Sequence, residues 1–268
     1  MTLADRRLAD GRIAVYRHPL LVRLTHWINA LCLLVLLLSG LQILNAHPAL
    51  YWGNVSTFND PFLAFGRGAP HWLTLPGWQD LAGGRRWHFF FAWLFVLNGL
   101  LYVVYALSSR RVSQVLAPTG AQLRNIGGSI VEHLKLRFPH GEEARHYNVL
   151  QKLSYLVVLF GLLPLMVATG LAMSPGMDAR LHFLVEVFGG RQSARTIHFL
   201  AAMALVLFFV IHIVAVLAAG PLTELRSIIT GWFVIRAQRV RRMRRTGDPR
   251  GAPRTDGEQA SLRKRRSE

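Results

Sequence analysis

The sequence is poor in cysteine and in acid, and four long stretches of it hold no charge at all. Cys32 is the one cysteine in 268 residues, so neither an intrachain disulfide nor a thiolate cluster can be built, and a small core residue is its expected role. Fourteen Asp and Glu stand against thirty-one Lys and Arg, a formal charge of +17, while 52% of residues are hydrophobic. That balance excludes a disordered chain and an ordinary soluble enzyme. No nucleotide, flavin or molybdopterin fingerprint occurs in the sequence.

What is present instead is a set of apolar runs over about residues 24–44, 87–107, 153–173 and 197–219, each free of Asp, Glu, Lys and Arg. Each is long enough to cross about 30 Å of hydrocarbon. Gly161, Pro164 and Gly170 interrupt the third, which is kept as one span with a bend expected near Pro164. The expected fold is therefore an all-α membrane protein, a bundle of four transmembrane helices spanning 24–220. Five arginines precede residue 25, seven basic residues lie in 108–152 and thirteen follow residue 220, which puts those segments and both termini in the cytoplasm. The first run is too long for a cleaved signal and is expected to stay as an anchor after a cytoplasmic segment, 1–23. On the outer side the connection 46–86, with Tyr51, Trp52, Trp72 and Trp78, and Trp87 at its edge, has the composition of a structured interfacial cap.

Beyond the last span, LTELRSIITGWFVIRAQRV has apolar residues at helical spacing, and an amphipathic helix lying on the inner membrane face is expected over 221–240. The 108–150 connection is expected to lie there too. Residues 241–268 read as a basic, disordered cytoplasmic tail attracted to anionic lipid; without aromatic stacking positions it is no nucleic-acid site.

Of eleven histidines, His18, His47, His71, His133, His140, His146 and His182 fall in connections, where solvent or a hydrogen bond satisfies them. Four belong to the spans: His26, His88, His198 and His212. His198 and His212 are fourteen residues apart, which on a helix means one face, about 40° of rotation and about 21 Å of depth. Along antiparallel helices His88 matches His198 on the outer side, and His26 matches His212 on the inner side. Buried ionisable groups in a bilayer are costly and functional, and neutral imidazole is an axial ligand of haem iron. Two histidine pairs thus read as the ligands of two b-type haems, non-covalently held because no CxxCH run exists. Gly40 lies at the outer depth and Gly99, beside Asn98, at the inner one; each would let a porphyrin press on the helix backbone.

RLTHWINALCLLVLLLSG, GRRWHFFFAW, YNVLQKLSYLVVLFGLLPLMVATGLAMSPG and the His198 to His212 spacing together resemble the bacterial cytochrome b561 and nickel-hydrogenase cytochrome b family. The similarity is greatest to its thiosulfate-reductase-type, molybdoenzyme-associated membrane subunits, and covers about residues 15–220. The resemblance implies a subunit of the bacterial inner membrane that passes electrons between membrane quinone and a periplasmic oxidoreductase, a molybdopterin enzyme, rather than the subunit that transforms substrate. It also implies a quinone near the inner haem, for which Asn148, Gln151 and Lys152 are the candidates. The alternatives are a stand-alone quinone oxidoreductase using a small oxidant, and a non-redox transporter with histidines as proton relays.

Overall fold

The computed structural model describes residues 6–9, 12–110, 112, 117–134 and 148–235. They belong to the first of two compact units, Met1–Arg236; the second, Ala237–Glu268, which carries the expected basic tail, lies outside the described residues, as do His140 and His146.

Two helices, Leu20–Asn45 (α1) and Leu81–Ser108 (α2), supply the first two spans. Short helices Gly120–Arg124 (α3) and Ile126–Leu134 (α4) follow. The third span, Val149–Met173, joins Val149–Val157 (α5) to Leu163–Met173 (α6) through a π turn at Val158–Leu162. Pro164 has no N–H and its ring crowds the carbonyl four residues back, so the helix widens there and then continues. The π turn lies just before Pro164, the position at which the sequence predicts a bend. After Pro175–Leu181 (α7) and Phe183–Val187 (α8), Arg191–Ala219 (α9) is the fourth span.

Each spanning helix starts four to six residues before the apolar run that marks it. Capping, not hydrophobicity, sets those starts. Asp80 accepts from the Gly83 N–H at 2.8 Å to open α2, Asn148 accepts from Leu150 at 3.0 Å to open α5, and Gly190 at φ +117° precedes α9.

At the end of the bundle where the first and last described residues lie, here the termini end, Arg6–Arg7 (β1) pairs antiparallel with Ile13–Tyr16 (β2). At the opposite end, here the loop end, Ala49–Leu50 (β3) pairs with Leu63–Ala64 (β4). The helix expected over 221–240 is shorter: Pro221–Thr230 (α10) stops at Gly231, φ +87°, and Trp232–Ile235 (β5) is a strand on β2. Aromatic and β-branched residues in WFVI favour that strand, and Arg6 and Arg17 stack on the Trp232 and Phe233 rings at 4.5 and 4.9 Å.

The spans pack closely as two antiparallel hairpins, α1 with α2 and the third span with α9. Between hairpins the contacts run through side chains: Leu163 and Val167 of α6 pack on the buried cluster of Cys32, Phe91 and Phe95. Cys32 is a core residue, as its sequence setting implied. Because lipid is as apolar as leucine, helices here are joined by small and polar groups, while Leu97, Leu207 and Val210 point outward. Asn98 of α2 donates to the Thr25 carbonyl at 2.9 Å and to Asn29 Oδ1 at 2.7 Å on α1.

The long connection between α1 and α2 caps α9. The Gly53 carbonyl accepts from the Gln192 and Ser193 N–H groups at 2.9 and 3.2 Å, so the loop satisfies the orphan donors of that helix start. Thr196 Oγ1 donates to the Tyr51 carbonyl at 2.6 Å and Arg195 to that of His47 at 2.5 Å. The start of the fourth span is thereby fixed in depth.

Candidate functional site

His88 on α2 and His198 on α9 meet across the two hairpins at the loop end, ring centres 6.3 Å apart and planes at 61°. That separation is close to the span of two imidazoles sharing one metal through a nitrogen each, with bonds of about 2.0–2.1 Å. Each ring is fixed from the other helix of its own hairpin. Ser39 Oγ of α1 lies 3.1 Å from His88 Nδ1, and Thr169 Oγ1 of α6 lies 2.9 Å from His198 Nδ1. In both rings Nδ1 is thus engaged and Nε2 is the remaining ring nitrogen.

A glycine follows each hydroxyl residue. A Cβ on Gly40 would stand 3.4 Å from His88 Cε1, and one on Gly170 would stand 3.6 Å from His198 Cε1. Gly40 therefore lies where its spacing from His26 implied, and the group pressed against it is the His88 ring. These residues fit an iron held by two imidazoles: neutral nitrogen donors of the right type, oriented by second partners, in a setting without carboxylate or thiolate ligands.

His26, early in α1, and His212, late in α9, both lie toward the termini end. Their rings are held by aromatic neighbours: Trp27 sits edge-on to His26 at 5.3 Å, and Phe208 stacks on His212 at 6.1 Å. His26 Nδ1 is buried without a hydrogen-bond partner. Gly99 is at this level, and a Cβ there would meet no heavy atom within 4 Å, so close helix packing does not require glycine at that position.

Asn148, Gln151 and Lys152 come together at the same end, but much of their polarity is engaged within the fold. Gln151 Oε1 accepts from the Asn148 N–H at 3.2 Å while Asn148 Oδ1 accepts from Leu150, a capping box. Lys152 is buried and donates to the Ala117 carbonyl at 3.1 Å and to Gln122 Oε1 at 3.2 Å. Asn148 borders a cavity of about 280 Å³ shared with Gln122 and Asn125. A larger cavity, about 510 Å³, opens at the loop end between Trp78, Arg86, Trp87 and Phe90, next to His88 in the chain.

Sequence reading missed Ser39 and Thr169, and took Gly170 only as a helix interruption. The signal was there as a repeated hydroxyl-glycine-leucine triplet, Ser39-Gly40-Leu41 and Thr169-Gly170-Leu171, late in the first and third spans.

The family model of prokaryotic cytochrome b561 matches residues 17–231. A putative protein-methionine-sulfoxide reductase subunit, YedZ1, of Azospira oryzae is 32% identical over 211 residues, covering 79% of this chain and 94% of that protein. No solved structure matches this chain.

Proposed function

The chain belongs to the prokaryotic cytochrome b561 family, multi-pass membrane proteins that carry b-type haem for electron transfer, and on that premise we propose that it is the di-haem subunit linking membrane quinone to an oxidoreductase docked at the loop end. His88 and His198 would hold the iron at the loop end, and His26 with His212 the iron at the other. When bound, each haem supplies a reversible one-electron carrier. The observation that carries this reading is the facing of His88 and His198 at 6.3 Å, with both Nδ1 atoms tied back to their own hairpins.

The partner is a molybdopterin-dependent enzyme in the periplasm. The name of the Azospira oryzae relative, a subunit of a protein-methionine-sulfoxide reductase, supports an oxidoreductase partner, and the loop pinned to α9 offers a built surface for docking. Twenty-five of the thirty-one basic residues stand in the sequence before residue 25, within 108–152 or after residue 220, which supports an inner-membrane protein with both termini cytoplasmic. Quinone then exchanges at the termini end, where Asn148, Gln151 and Lys152 border or adjoin the smaller cavity.

The test uses the complex purified with its partner and carrying His212→Ala. Haem absorbance changes driven by the partner's substrate should persist, while those driven by a quinol analogue should be lost. Normal quinol-driven reduction in that variant would move the quinone site to the loop-end cavity and overturn the scheme. A colourless protein would overturn the redox reading altogether.

A further inference from the structure

We infer that Ser39 and Thr169 are positioning residues that hold His88 and His198 as the tautomer protonated on Nδ1, leaving Nε2 of both rings to bind iron. The inference rests on the assignment of these two histidines to one haem, and deepens it.

The tautomer follows from counting protons. Ser39 Oγ is 2.6 Å from the Val35 carbonyl and 3.3 Å from that of Leu36. Thr169 Oγ1 is 2.7 Å from the Leu165 carbonyl and 3.2 Å from that of Met166. A carbonyl only accepts, and a hydroxyl has a single proton. Each hydroxyl therefore donates into its own helix, a bond back by three or four residues that serine and threonine readily make. What each hydroxyl offers the neighbouring histidine is a lone pair. The ring nitrogen at 3.1 or 2.9 Å must then be the donor, so Nδ1 carries the proton and Nε2 does not.

Both hydroxyl residues are fully buried, so no water competes for these bonds. The glycine next to each leaves the ring room to settle against the helix, its Cε1 at 3.4 or 3.6 Å from where a Cβ would stand. The device is built twice, once in each hairpin, with the hydroxyl on one helix and the histidine on its partner. The termini-end pair lacks it at His26, whose Nδ1 is buried with no partner. An Nδ1–H donating to oxygen fixes ring orientation and raises the basicity of the ligating nitrogen, which favours ferric over ferrous iron.

Haem-loaded protein carrying Thr169→Val, Ser39→Ala or Thr169→Ser is compared with the unmodified protein by three readouts. These are haem loss to an excess of apomyoglobin, the low-spin ferric resonance of the loop-end haem, and its midpoint potential. Thr169→Val and Ser39→Ala should weaken retention of that haem about 10–100-fold, alter its resonance and raise its potential, with the other haem unmoved. Thr169→Ser keeps the hydroxyl and should restore all three. If Thr169→Val and Ser39→Ala leave every readout unchanged while His198→Ala removes a haem, the hydroxyls do not position the ligands and the inference falls alone. If His88→Ala and His198→Ala remove no haem, the ligand assignment falls, and the inference with it.

Discussion

The two ends of the bundle hold their histidines in different ways. At the loop end the arrangement is duplicated: LSGLQ of α1 faces GRRWH of α2, as ATGLA of α6 faces ARTIH of α9. Corresponding small residues let the helices come close, Gly84 against the Gln42 side chain, and Ala194 in one buried cluster with Ala172 and Val185. At the termini end the duplication stops. Fourteen residues before Gly170 stands Leu156 where α1 has His26, and fourteen after His88 stands Tyr102 where α9 has His212. The loop-end pair is thus a symmetric product of two similar hairpins, each imidazole contacted by a hydroxyl. The other draws on α1 and α9 alone, with aromatic rings as neighbours and Asn98 tying α2 into place. A four-helix frame fixes depth at both ends; at the loop end hydroxyl contacts also fix both rings, whereas His26 Nδ1 has no hydrogen-bond partner among the described residues.

Removing the proposed haem ligands breaks the comparison most severely. His88→Ala or His198→Ala should lower the pyridine haemochrome stoichiometry from about two haems per chain to about one, leaving the termini-end redox step in a potentiometric titration. His26→Ala or His212→Ala should leave the complementary step. If His26→Ala and His198→Ala eliminated the same step, the pairing by depth would be wrong.

The glycines give the next largest effect. Gly40→Val adds bulk where even a Cβ is 3.4 Å from His88, so it should displace the ring and deplete the loop-end haem. Gly99→Ala meets no atom of a neighbouring helix within 4 Å, so the stability of the haem-free protein, measured by denaturation, should be unchanged or raised by up to about 1 kcal/mol from helix propensity. Loss of the termini-end haem in that same variant would identify Gly99 as a porphyrin contact.

Asn98→Ala sharpens the contrast in helix pairing. It removes both bonds from α2 to α1 at the termini end, and about 1 kcal/mol of stability should go with them, measured by reversible denaturation in detergent or bicelles. The loop-end potential should not move.

The smallest expected effect is electrostatic and lies in the connection between the third and fourth spans. Asp178 beside His182 at 2.8 Å stabilises the imidazolium and raises the His182 pKa above its ordinary value. A raised histidine pKa stabilises the fold fully below the unfolded value, and that contribution is lost as pH rises through the folded one. His182 is exposed, so Asp178→Asn should lower its pKa in an NMR titration while haem content and both potentials stay constant.

Four spans, their order and the depth of each histidine were legible in the sequence, because runs of apolar residues and a fixed rise per residue suffice to set them. Helix starts were not, since Asp80, Asn148 and the Gly189-Gly190 pair act through caps outside the apolar runs. The strand Trp232–Ile235 was hidden for another reason. Its residues also fit an amphipathic helix, and only the positive φ of Gly231 and pairing with Ile13–Tyr16 decide the matter. Asn148, Gln151 and Lys152 looked free to meet a ligand, yet a capping box and a long-range lysine contact engage much of what they offer.

Sequence alone determined membership of the membrane, the number of crossings and which histidines share a level, all of which follow from composition and one-dimensional spacing. Tertiary structure decided what touches each ring. Whether Ser39 is lipid-facing or bonded to His88, or Thr169 to His198, depends on how two helices rotate against each other, and that rotation is set by small residues many positions away rather than by any local pattern.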